Sequence, residues 1–142
     1  MKLFSIFSEE WEWLRTTRME RETNAFIHRF LTPVKTAKTE TLRLFLNKYY
    51  GKDLRSIHLD QEAIRLSIRS MSYKEFLRTV YWRAVAMAVK EAAGFRCSLC
   101  GRKTRALNVH HIIYDNHGTE LQNLQDLMCV CENCHKRLHK KS

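Results

Sequence analysis

Two C-x-x-C pairs, Cys97/Cys100 and Cys131/Cys134, oblige the last third of the chain to fold back on itself. Four thiolates in two such pairs are the ligand set of a tetrahedral structural zinc, which can form only when both ends of the segment meet. Between the pairs stand the adjacent histidines His110 and His111, and after them come His135 and His139. That is more imidazole than a structural zinc needs, so the pattern predicts a second metal. All five cysteines fall at or after position 97, together with five of the seven histidines. Stapling disulfides would be spread along the chain, so this clustering reads as metal binding in a reducing cytoplasm.

The formal charge of +10 favours a polyanionic partner. Residues 1–90 carry 17 basic and 10 acidic side chains, residues 91–142 only 8 and 5, so most of the excess precedes the metal segment. No apolar run approaches the roughly 18 residues of a membrane helix, and no membrane partner is expected. Met1-Lys2 begins like a signal peptide, but Glu9 and Glu10 end the apolar stretch too early. At 142 residues the chain is read as one small domain with an extension: a helical region over 1–70 and the metal-bearing domain over 71–142.

Phe4, Phe7, Trp11 and Leu14 recur at helical spacing, as do Phe26, Ile27, Phe30 and Leu31, and then Leu42, Phe45, Leu46 and Tyr49. Thr32-Pro33 and Gly51 punctuate them, and a short helix is predicted from Asp60 to about Ser70. Ser72-Tyr73-Lys74-Glu75 has capping-box form and is expected to open the longest helix, with Leu77, Val80, Ala84 and Ala88 on one stripe and Gly94 ending it. Leu107 to Tyr114 reads as a strand, Asp115 to Gln125 as a loop, Leu127 to Cys131 as a second strand and Glu132 to Lys141 as a final helix. On that helix His135 and His139, at i and i+4, share one face. The fold class is α+β: a mostly helical N-terminal region, then a small zinc-stapled ββα unit.

Residues 73–139 resemble the HNH endonuclease family, in the version common in bacteriophage and bacterial genomes. The resemblance rests on Tyr73-x-x-Phe76-Leu77 with Tyr81-Trp82, Gly94-Phe95-Arg96-Cys97-Ser98-Leu99-Cys100-Gly101, and Val109-His110-His111-Ile112-Ile113-Tyr114. It continues through Gly118-x-Glu120, Asp126-Leu127 and Cys131-Glu132-Asn133-Cys134-His135 to His139. It covers about half the chain and does not extend to residues 1–70. The resemblance implies a ββα-metal (His-Me finger) fold and DNA, double-stranded, as substrate. His110, His135 and His139 would be ligands of a catalytic divalent metal and His111 the general base. The family's central Asn falls on Asp126, a departure from the literal motif, whose carboxylate is expected to accept the His111 ring N–H.

The chemistry is consistent without the family name. Phosphodiester hydrolysis needs a deprotonated water, a cation on the non-bridging oxygen and stabilisation of the leaving alkoxide. An imidazole titrating near ~6.5 suits the first task, and one metal can serve both others. Neighbours on a strand point to opposite faces, so His110 and His111 divide into ligand and base. Imidazole ligation favours Zn²⁺, Ni²⁺, Mn²⁺ or Co²⁺ over Mg²⁺, although the family often works with Mg²⁺. Arg96, Arg102, Lys103 and Arg105 around the knuckle are candidate phosphate contacts. Cys129 reads as a packed thiol, and His28, His58 and His117 show no convergent partners. The rival reading is a non-catalytic zinc module that binds nucleic acid or a phage protein. Against it, a zinc knuckle has no use for His111.

Overall fold

A computed structural model describes residues 18–49 and 61–140; the Phe4–Leu14 periodicity and Gly51 lie outside them. Helix α1 (Arg18–Phe26) runs into a π-helical turn (Ile27–Leu31), followed by α2 (Thr39–Tyr49), α3 (Gln61–Ser70), α4 (Tyr73–Phe76) and α5 (Val80–Ala92). Strand β1 (Leu107–His111), two 3₁₀ turns (Glu120–Gln122 and Leu124–Asp126), strand β2 (Leu127–Cys131) and α6 (Glu132–Lys140) complete it. The fold is α+β and mostly helical, with one two-stranded sheet among the described residues. Among the described residues no helix is long and apolar enough to cross a membrane.

The capping box forms, with Ser72 Oγ accepting from Glu75 N and Glu75 Oε2 accepting from Ser72 N. It opens only the four residues of α4, not the longest helix. The long helix starts afresh at Val80, because buried Thr79 supplies a second cap. Its hydroxyl accepts from Trp82 N and donates to Phe76 O, and its backbone bridges to Pro33. A cap of this kind satisfies amide groups that a continuous helix would bond internally, so the chain turns between α4 and α5. Val80, Ala84 and Ala88 are buried as expected, while Leu77, on the turn, is about one-third exposed.

Helix α5 is the hub. It packs on α2, the π turn, β1 and β2. Phe26, Phe30, Phe45 and Tyr49 form a buried aromatic cluster with ring centroids 4.9 to 5.9 Å apart. Phe45 meets Tyr81 of α5 edge-on at 6.3 Å. The buried apolar cluster is continuous from Phe26 through Ile64, Ile68 and Val85 to Cys131 and Cys134. The helices before position 71 and the hairpin after it therefore share one core.

Strands β1 and β2 pair antiparallel, with Leu107 opposite Cys131, Val109 opposite Cys129 and His111 opposite Leu127. Strand β1 ends at His111, short of the predicted Tyr114, and Ile112, Ile113 and Tyr114 are about half exposed. The four sulfurs of Cys97, Cys100, Cys131 and Cys134 lie within 4.8 Å of one another, close enough to share one cation. Backbone N–H groups of Cys100 and Cys134 point at the sulfurs of Cys97 and Cys131, each 3.5 Å away. Burial opposes a Cys97 thiolate, but backbone hydrogen bonds from Cys100, Cys131 and Leu99 bring the thiol down to about 6. Cys129 is buried in the core outside this cluster.

Helix α3 braces the loop after β1. Arg69 donates from Nε to His117 O and from Nη2 to Asp115 O, both at 2.9 Å. Gly118, at φ +104°, passes so close that a Cβ there would lie 2.9 Å from Arg65 Cα. Gly118→Ala combines left-handed strain with a backbone clash and should destabilise the protein by about 1–3 kcal/mol, seen as a lower melting temperature. An unchanged melt would show that α3 does not hold this loop.

Candidate active site

The alternation of β1 divides the two adjacent histidines. His110 looks toward α6, which packs on both strands, and His111 turns the other way, under α5. The ring nitrogens of His110, His135 and His139 come within 4.8 Å of one another. His135 Nε2 and His139 Nε2 are 2.9 Å apart, an approach the i, i+4 spacing on α6 allows. Two imidazole nitrogens at that distance share at most one proton, and the third is near enough for all three to hold one cation. Burial, then His135 and His139, holds His110 below the usual imidazole range, and burial and His139 do the same for His135. Neutral, converging imidazoles suit a divalent transition metal.

His111 is only 2 % exposed and is fixed on every side. Its ring lies between Trp82, with centroids 5.0 Å apart and planes 15° from parallel, and Tyr114, at 4.9 Å and 19°. Its Nδ1 lies 3.3 Å from the Tyr73 hydroxyl and its Nε2 3.1 Å from Glu120 Oε2. Burial, then Tyr114, raises the Tyr73 phenol, so its proton stays in place at neutral pH. His110, His111, His135, His139, Tyr73, Trp82, Tyr114 and Lys90 all line one cavity of about 280 Å³. Three converging imidazoles and a fourth held separately thus open on the same space.

The carboxylate that meets His111 is Glu120, not Asp126. Asp126 Oδ2 instead accepts from Asn116 Nδ2 at 2.7 Å, and its backbone carbonyl accepts from Ile112 N. The reason is local geometry. Asp126 ends the second 3₁₀ turn just before β2, where it ties down the start of the loop leaving β1. Glu120 is 2 % exposed and accepts four bonds, from His111, His117 Nδ1 at 2.7 Å, Gly118 N at 3.0 Å and Tyr81 Oη at 3.5 Å. Burial opposes the charge, but the His111 and His117 hydrogen bonds outweigh it and draw the carboxyl down to about 2. His117, read from sequence as lacking partners, is thus part of the site. Its sequence signal was modest: an imidazole three residues before a glutamate, with a glycine between.

Arg96, Arg102, Lys103 and Arg105 are exposed around the cysteine knuckle and do not line the histidine cavity. The basic side chain at the cavity is Lys90 of α5. The aromatic residues around His111 stood in the sequence as Tyr73, Trp82 and Tyr114, but only the fold stacks them on one imidazole.

No curated protein and no solved structure matches the chain. A family model does: residues 97–141 match the one described as HNH endonuclease. The match takes in all four knuckle cysteines, His110, His111, Glu120, His135 and His139, so the C-terminal third of the chain is similar to HNH endonucleases, a nuclease-type likeness.

Proposed function

We propose that the chain is a metal-dependent endonuclease that hydrolyses phosphodiester bonds of double-stranded DNA. The observation that carries this reading is the shared cavity, where His110, His135 and His139 converge while His111 lines the same space and is held apart, its Nδ1 beside the Tyr73 hydroxyl. A non-catalytic zinc module would need only the cysteines.

In this reading His111 Nδ1 takes a proton from the attacking water, which displaces the Tyr73 hydroxyl from that nitrogen. The water oxygen bonds to phosphorus as the bond to the leaving alkoxide breaks. Stacking between Trp82 and Tyr114 keeps the imidazole from rotating out of line. A divalent cation held by His110, His135 and His139 would supply positive charge for the non-bridging and leaving oxygens. Lys90 at the cavity, and Arg96, Arg102, Lys103 and Arg105 beside the knuckle, offer charge to flanking phosphates. The four cysteines fit a structural zinc, since sulfurs within 4.8 Å of one another repel as thiolates unless a cation lies between them.

Protein stripped of metal and resupplied with single divalent ions should nick or linearise supercoiled plasmid with at least one of them. Failure with Mg²⁺, Mn²⁺, Ni²⁺, Co²⁺ and Zn²⁺ alike would overturn the enzymatic reading. His111→Ala should cut cleavage by about 10²- to 10⁴-fold, the loss typical of a missing general base, with DNA binding and metal content retained. A wild-type rate in that variant would remove His111 as the base.

For the knuckle, Cys97→Ser or Cys134→Ser should release one zinc per chain and destabilise the C-terminal third, because zinc binding energy there is folding energy. Elemental analysis and a thermal melt check this, and full zinc content with an unchanged melt in both variants would refute a four-cysteine site.

A further inference from the structure

We propose that Glu120, seconded by His117, is the positioning residue that fixes which nitrogen of His111 carries the proton, leaving Nδ1 as the basic atom toward the cavity. The proposal rests on the nuclease reading for its catalytic consequence, but its structural content stands on the hydrogen bonds alone.

An ionised carboxylate only accepts. Glu120 Oε2 lies 3.1 Å from His111 Nε2 and 2.7 Å from His117 Nδ1, so each of those nitrogens must donate. Glu120 Oε1 is taken by Gly118 N–H and the Tyr81 hydroxyl. The carboxylate therefore has no remaining edge on which to turn. Tyr81 is itself anchored, since its ring is buried in the core and its oxygen accepts from Leu121 N at 3.1 Å. On the other side Arg69 of α3 grips the His117 carbonyl, and Phe76 packs edge-on against the His117 ring at 4.6 Å. With Nε2 protonated, a neutral His111 has its lone pair on Nδ1, which the Tyr73 hydroxyl meets at 3.3 Å. The same atoms of His111, His117 and Glu120 are near enough to surround a cation. Hydrogen-bond distances between both rings and one oxygen, with the other oxygen already engaged, make the trio a proton network instead.

Glu120→Gln separates positioning from bulk structure because it keeps shape while reversing one edge. The Gly118 N–H can only donate, so the amide oxygen must remain there and the NH₂ must face the two imidazoles. His111 Nε2 then has to accept, and the ring proton moves to Nδ1. Long-range ¹H–¹⁵N spectra, with His111 assigned by its loss in His111→Gln, read this directly in non-cleaving conditions. Wild-type protein should show His111 protonated on Nε2, and Glu120→Gln should show it protonated on Nδ1. Cleavage by Glu120→Gln should fall about 10²- to 10⁴-fold in kcat, the scale of a wrong tautomer or lost base, with KM and bound metal little changed. A wild-type His111 carrying its proton on Nδ1 would overturn the proposal whether or not the variant folds. So would a folded Glu120→Gln that keeps the wild-type tautomer and rate. Wild-type protein that cuts no DNA with any metal would sink the nuclease reading alone, because the spectra still decide the positioning.

Discussion

The site depends on the antiparallel pairing of two five-residue strands. Because side chains alternate across a strand, the register that sets His111 opposite Leu127 sends His110 to one face and His111 to the other. On one face α6 brings His135 and His139 to His110; on the other α5 lays Trp82 against His111. A one-residue slip would exchange the two imidazoles and destroy both arrangements at once. The cysteine pairs would guard against such a slip on sharing one cation, since they stand on the turn before β1, the end of β2 and the first turn of α6.

The two faces make opposite use of burial. On the His110 side three imidazoles gather, and burial together with the neighbouring rings favours the neutral, ligand-ready form of His110 and His135. On the His111 side, a carboxylate is buried and its charge is retained only because four donors converge on it. A buried acid without those donors would take up a proton. Adjacent residues thus sit in environments suited to different work, one receptive to a cation and one organised around a fixed proton.

The helices before the hairpin enter the site through packing. The aromatic cluster of Phe26, Phe30, Phe45 and Tyr49 supports Tyr81, whose hydroxyl reaches Glu120 and the Leu121 amide. Helix α3 supplies Arg69 to the loop carbonyls and the surface against which Gly118 fits. The basic character of this region, which in sequence suggests polyanion contact, coexists with a mechanical role that charge counting does not reveal.

Much was legible in the sequence because its signals are local and periodic. The paired cysteines, the i, i+4 histidines and the β-branched run around His110 and His111 determined a knuckle, a helix face and a strand with two opposed imidazoles. Each depends only on spacing along one element. What the tertiary structure alone decided is which distant group meets which. Asp126 stands where the family motif places its central Asn, and sequence reasoning paired it with His111. The 3₁₀ turns instead direct it to Asn116 and swing Glu120 inward. Likewise the capping box at Ser72 is real, but buried Thr79 restarts the helix, a competition that depends on Pro33 and Phe76 arriving beside it. Hydrogen-bond partners across irregular loops follow from packing, which has no period for a sequence to display.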